Sequence, residues 1–301
     1  MASLANFFTE AKGIIKDRKV LIIGPGYLGK LLAIRLLEDG NEVHTLSRND
    51  PEIEGGVHFS CDIRHPFSLN HDYDLVYYLV SAANYSEKAY QDAYHYGLEH
   101  SLNAISNTQR KPFFVFASST SVFAENSGAW VTEDSQTSTG SMPKALLEGE
   151  KLLLESEFKA SVLRFAGIYG PGRDRLAVQV ASGKAKLRKQ ASISNRIHQY
   201  DAVGVLRFVA NISEPKPKYL VCDSTPTQYN DILIWLNERL IAMNQLDYDS
   251  QQSSGRRMSN KYCSNELIVK EGYRFLFPSF KEGFLQIIND SEHLRGLYEP
   301  K

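Results

Sequence analysis

The stretch KVLIIGPGYLGKLLAIRLLEDG, from Lys19 to Gly40, constrains the fold more than any other part of the chain. Val20 to Ile23 form a short, wholly apolar run that ends at a glycine, the pattern of a strand buried on both faces. Apolar residues from Leu28 to Leu37 then recur at helical spacing, and Gly40 closes that helix. Between the two lie Gly24, Gly26 and Gly29, in the order G-x-G-x-x-G. Gly24 permits the tight turn, Gly26 lets a pyrophosphate approach the backbone, and Gly29 lets helix and strand pack closely. With Tyr27 and Leu28 the helix N-terminus offers free N–H groups and a partial positive charge to phosphate. Strand on one side and helix on the other supply the context that a bare glycine motif lacks.

The same alternation continues. NEVHTLSR, GVHFSCD, DLVYYLV, PFFVFASS, ASVLRFAG and KYLVCD read as six more strands, with a helix over roughly Glu87–Ser106 and another opening near Ser141. Strands separated by helices imply a Rossmann-type, doubly wound, mainly parallel α/β sheet with helices on both faces. A small C-terminal, substrate-side lobe completes it. Residues 1–18 form an N-terminal helical extension in this reading. Residues 19–170 with about 197–224 form the nucleotide domain, and 171–196 with 225–301 the smaller lobe. A capped helix is expected from Thr225, and a loop at Asp249–Arg256.

Composition narrows the partners. The 301 residues carry 34 basic and 35 acidic side chains, a net charge of −1, which gives no footing for nucleic acid or an anionic membrane. Cys61, Cys222 and Cys263 form no C-x-x-C pair, so buried thiols in a reducing, cytoplasmic compartment are expected. The N-terminal stretch has neither a secretory core nor the length of a span. None of the eight histidines stands in an i, i+4 metal pair, so no metal is expected.

At the end of the second strand a ribose-binding acid would select NAD and repel a 2′-phosphate. Ser47 and Arg48 stand there instead, which favours NADP, with NAD as the alternative and a solvated surface arginine as the competing reading. Asp62, beside Ile63, either accepts from the adenine amino group or simply caps a turn. Ala82 follows the fourth strand and completes the expected cofactor contacts.

These ordered segments, GPGYLG, CDIRHP, VFASSTSVF, SMPKALLE, VLRFAGIYGPGR, RIHQYDAV and GRRMSNKYCSNEL, resemble the extended and atypical short-chain dehydrogenase/reductases, the NAD-dependent epimerase/dehydratase superfamily. The likeness runs from about Lys19 to Pro278 and is nearest to small bacterial atypical members. It implies that Ser119, in Ser119-Thr120-Ser121-Val122-Phe123, bonds a substrate oxygen, and that Lys144 holds the nicotinamide ribose. The family's tyrosine stands four residues before its lysine, one helical turn away. Here that position is Gly140, and no tyrosine occurs between Gly97 and Gly167. Tyr85 and Tyr169 are candidate substitutes for the acid, with Glu133 and Asp134 acting through water as further options. Arg173, Arg196 and His198 lie in segments that border the family's substrate pocket, although salt bridges and core packing explain such residues equally well.

Two functions follow from the resemblance. One is an oxidoreductase acting on a hydroxyl or carbonyl of a small polar substrate, of sugar or nucleotide-sugar kind, through a non-standard proton relay. The other is an inactive NADP(H)-binding sensor or scaffold, for which the nucleotide is an effector. Family relatives that pair through helices make a homodimer the expected assembly.

Overall fold

The computed structural model describes residues 16–240, 246–248 and 260–295. The expected N-terminal helix lies almost wholly outside these residues, as do the loop Asp249–Arg256 and part of the GRRMSNKYCSNEL segment.

In chain order the elements begin β1 (Lys19–Ile23), α1 (Tyr27–Glu38), β2 (Glu42–Ser47), β3 (Val57–Ser60), β4 (Leu75–Tyr78), α2 (Glu87–Gln91), a π-helical turn (Asp92–Tyr96), α3 (Gly97–Ser106) and β5 (Phe113–Ser119). They continue with β6 (Trp130–Val131), α4 (Ser141–Leu154), β7 (Ala160–Phe165), β8 (Gly167–Tyr169), α5 (Arg175–Ala181), β9 (Ile193–Ser194) and β10 (Arg196–His198). The rest are α6 (Gln199–Val209), β11 (Lys218–Val221), β12 (Thr227–Gln228), α7 (Tyr229–Arg239), β13 (Tyr262–Cys263), α8 (Glu266–Lys270) and α9 (Phe280–Asp290).

Seven strands form one sheet in the order β11-β7-β5-β4-β1-β2-β3, and the pairings from β7 to β3 are parallel. Val20 to Ile23 and Leu75 to Tyr78 are fully buried, as apolar strands covered by helices must be. Strand order runs outward in both directions from the β1–β4 pair. Such a reversal opens a crevice beyond the carboxyl ends of the strands.

The chain divides into two compact units. One comprises Met1–Ala124, Gln136–Phe165 and Ala202–Tyr219, and the other Glu125–Ser135, Ala166–Asp201 and Leu220–Lys301. The core of the second joins Tyr169, Ala177, Val180, Ile232, Leu236 and Phe284.

Two local expectations need correction. The helix over Glu87–Ser106 is interrupted by the π turn, where the Gly97 N–H donates to the Asp92 carbonyl; a Cβ at Gly97 would fall 2.8 Å from both that oxygen and Ile63 Cδ1, so glycine is what fits there. The helix expected from Thr225 begins at Tyr229, since Thr227 and Gln228 pair antiparallel with β9. Ser141 is the first helical residue of α4, and Gly140 is its N-cap.

Candidate functional site

The crevice holds a cavity of about 480 Å³, bounded by residues that follow β1, β2, β3 and β4. Gly24 and Gly26 line it from the first turn, Ser47, Arg48 and Asn49 from the second, and Cys61 to Arg64 from the third. Val80, Ser81, Ala83, Asn84 and Ser86 follow β4, and Lys88, Ala89, Asp92 and Ala93 complete the wall.

The three glycines differ sharply in their surroundings. Gly24 has φ +83, and a Cβ there would strike Val80 N at 2.8 Å. Gly29 is buried in the first turn of α1, where a Cβ would meet the Gly24 carbonyl oxygen at 2.9 Å and Ile22 Cγ2 at 3.3 Å. A Cβ at Gly26, the N-cap of α1, would have nothing within 4 Å. That open volume belongs to the cavity, and Gly26 has no side-chain cap bond, so a phosphate has both room and donors. Tyr27 and Leu28 open the helix, half-buried.

At the adenosine end Arg48 is exposed and Ser47 Oγ donates to the Asn49 carbonyl at 2.7 Å. Asp62 is tied up. Its carboxylate accepts Arg64 Nε at 2.9 and 3.0 Å and the Arg64 backbone N–H at 3.1 Å. These bonds, with Arg64 as the chief cause, pull the Asp62 carboxyl down to about 2. Asp62 thus caps its own turn while still lining the cavity, and Arg64, which sequence reasoning missed, joins Arg48 at the cavity wall. Ile63 lines the wall as expected, whereas Ala82 lies between two lining residues and its N–H donates to Tyr94 Oη at 3.4 Å.

Ser119 and Lys144 lie outside the cavity wall. Ser119 Oγ accepts from Ser121 N at 3.1 Å and caps the short 3₁₀ turn Thr120–Val122. The Lys144 ammonium is 67% exposed and sits 3.8 Å from Glu148. Beside them Ser118 donates to Glu150 at 2.6 Å, and Glu150 pairs with Arg164 at 2.7 Å, which locks α4 onto β5 and β7. Gly140 has φ −63, and a Cβ there would make only ordinary contacts, at 3.6 Å, with Pro143 and Ser138. No backbone constraint demands glycine at 140, so the missing phenol is a chemical difference rather than a packing one.

In the second unit β8 pairs with β10, setting Tyr169 opposite His198, with ring centroids 5.3 Å apart. The Arg196 guanidinium lies 5.8 Å from the Tyr169 ring. These three candidates are brought together, but two of them inside a core. Tyr169 is 2% exposed, and its hydroxyl is pressed onto α9, where a Cβ at Gly283 would fall 1.9 Å away. Burial, then Asp223, pushes its phenol well above the ordinary range, and a hydroxyl enclosed in this way has no path to a substrate, so Tyr169 is a packing residue. Arg173 is exposed on the loop closed by its N–H to the Gly170 carbonyl, at 2.8 Å. Tyr85, in the first unit, is 66% exposed. Glu133 accepts from Leu220 N at 2.8 Å, and Asp134 is exposed.

His198 is fully buried against Phe277, ring to ring at 4.0 Å, and burial lowers it to about 4. It is a neutral core histidine, not a substrate group. The unfolded imidazole titrates near 6.5, so the unfolded chain binds the extra proton between there and about 4. Stability from this group is present above that window and is lost as pH falls through it. Asp201, pushed up to about 6 by burial, acts in the opposite sense. Comparison with His198→Gln isolates the histidine. Between pH 7 and 4 the wild type should lose about 3 kcal/mol relative to the variant in urea unfolding. Parallel pH profiles would remove the assignment.

Among the described residues no cluster of His, Cys, Asp and Glu is arranged to hold a metal, and no helix is long and apolar enough to cross a membrane. No functionally curated protein matches the chain. Among solved structures, one from Methylobacillus flagellatus, assigned to the NAD-dependent epimerases/dehydratases, is 28% identical, covers 90% of this chain and 98% of its own, and superposes with a TM-score of 0.75. The Bordetella bronchiseptica enzyme WbmG, solved with NAD, shares the fold at 13% identity, covering 91% and 93% with a TM-score of 0.75. UDP-glucose 4-epimerase of Thermotoga maritima, solved with UDP-glucose, does so at 16% identity, covering 90% and 97% with a TM-score of 0.69. The family profile "NAD dependent epimerase/dehydratase family" matches residues 20–193. The glycine turn, the strand order and this match agree: the chain belongs to the NAD-dependent epimerase/dehydratase family.

Proposed function

We propose that the chain is an oxidoreductase of the epimerase/dehydratase kind that favours NADP(H) and acts at a hydroxyl or carbonyl of a sugar or nucleotide-sugar substrate. The observation that carries this reading is the open volume over Gly26 at the N-terminus of α1, continuous with a cavity walled by Arg48 and Arg64. When bound, the nicotinamide supplies hydride exchange with the substrate carbon. Gly26 and the first N–H groups of α1 hold the pyrophosphate. Arg48, with Asn49 and Arg64 nearby, takes the 2′-phosphate. Lys144 serves the nicotinamide ribose, and Ser119 a substrate oxygen, each after turning from its present partner. The neighbour solved with NAD keeps NAD as the competing cofactor.

Calorimetry separates the two. Arg48→Ala should weaken NADPH binding by about 10- to 100-fold, the worth of a charge-assisted hydrogen bond, and change NADH binding by less than about twofold. An equal effect on both nucleotides rejects the NADP assignment. The sensor reading rests on Gly140; tight NADPH binding without any change in nicotinamide absorbance, across a panel of sugars and nucleotide sugars, would favour it.

A further inference from the structure

The cavity wall formed by α2 has a second side. Lys88, Ala89, Asp92 and Ala93 face the cavity, which leaves Tyr90, Gln91 and Tyr94 on the side toward α4. Gln91 Nε2 donates to Glu148 Oε2 at 3.0 Å, and Glu148 Oε1 lies 3.8 Å from Lys144 Nζ. One residue on, Gly149 packs so tightly that a Cβ would stand 2.2 Å from the Tyr94 carbonyl oxygen. The segment bearing Tyr90 and Tyr94 thus runs alongside the helix that carries Lys144 and starts at Gly140. The Tyr94 ring also lies 6.3 Å from Phe116, on the strand that ends at Ser119.

Three phenols form a ladder here, Tyr85 to Tyr90 at 5.9 Å and Tyr90 to Tyr94 at 5.4 Å between ring centroids. They are not equivalent. Tyr94 is buried and its hydroxyl already accepts from Ala82 N. Tyr85 stands out in water. Tyr90 is half-buried, its ring edge-on to Tyr85 and tilted against Tyr94, and its hydroxyl bonds no described residue. Burial and then Tyr85 raise its phenol above the ordinary range, which keeps it protonated. The charged groups on the two elements that meet here are Lys88 and Asp92 on the segment of Tyr90, paired at 2.7 Å, and Lys144 and Glu148 on α4, 3.8 Å apart.

We propose that Tyr90 is the proton donor of this site, replacing the side chain that Gly140 lacks, with Tyr94 as its positioning residue. In the reducing direction the Tyr90 O–H bond breaks and a new O–H bond forms on the substrate carbonyl oxygen, whose carbon takes hydride from the reduced nicotinamide. The phenolate recovers its proton from water on the Tyr85 side. The proposal rests on the cofactor reading above.

Carbon-13 NMR of the full chain labelled at tyrosine Cζ tests it without a substrate, with Tyr90→Phe assigning the signal. Addition of NADP⁺ should move the Tyr90 resonance and lower its pKa by at least about one pH unit, because the oxidised ring is cationic. The signal of buried Tyr77 should stay fixed. NADP⁺ bound by calorimetry with an unmoved Tyr90 resonance overturns the role of Tyr90 and spares the cofactor reading. Absence of any nicotinamide nucleotide binding overturns both.

Discussion

Gly26→Val should abolish measurable nicotinamide nucleotide binding, a loss of at least about 100-fold, and leave the fold intact. The two halves of this expectation have separate causes. A Cβ at Gly26 meets nothing within 4 Å, and the residue is exposed at φ −77, a conformation open to any L-residue. The side chain therefore enters empty space, at the cost of a poorer N-cap, about 1 kcal/mol. In the proposed function, that empty space is where phosphate oxygens reach the first N–H groups of α1. Branched methyl groups there keep the pyrophosphate from its donors, and losing charge-assisted bonds to it costs at least about 3 kcal/mol. Calorimetry with NADPH, beside thermal unfolding, reads both halves. Full affinity in a folded variant would remove Gly26 from the phosphate site.

Gly24→Val makes a contrasting control. It forces a β-branched residue to φ +83 and drives its Cβ to 2.8 Å from Val80 N, so it should lose stability as well as binding. The distinction was legible in the sequence, because G-x-G-x-x-G between a strand and a helix assigns each glycine its own steric role. So was the sheet, since seven short apolar runs separated by amphipathic stretches leave few alternatives to a parallel order.

What the sequence did not disclose lies in contacts that only the folded chain makes. Asp62 alone suggests an adenine acceptor; only the fold shows Arg64 curling back on it. Tyr169 beside a glycine-rich loop suggests an accessible phenol, and nothing in IYGPGR announces that Gly283, more than a hundred residues on, presses against its hydroxyl. The π turn at Asp92–Tyr96 is hidden because a helical pattern keeps its apolar face through one inserted residue. Tyr90 fell inside that apparently ordinary helix. Its one sequence signal was the spacing of Tyr85, Tyr90 and Tyr94, which reads as core packing unless the neighbouring helix is known to lack its own tyrosine.

Glu150→Ala should destabilise the first unit by about 3–5 kcal/mol, the largest stability effect expected of any single truncation near the site. Glu150 and Arg164 side chains are only 4% and 3% exposed, so the guanidinium left behind cannot recover its lost partner from water. Ser118 would lose its acceptor too, and Arg164 would lose its carboxylate partner while its guanidinium stays 5.1 Å from the Phe123 ring. The cost comes from an uncompensated charge rather than from the worth of the pair. Glu150→Met combined with Arg164→Leu should accordingly recover most of the loss, because two apolar groups of similar volume need no desolvation. Denaturant unfolding of the two single variants and the double variant separates these possibilities. If the double variant is as unstable as the singles, burial of charge is not the cause, and packing at the β5–β7–α4 junction is. Since the same contact fixes α4 against the end of β5, Glu150→Ala should also loosen Lys144 relative to Ser119.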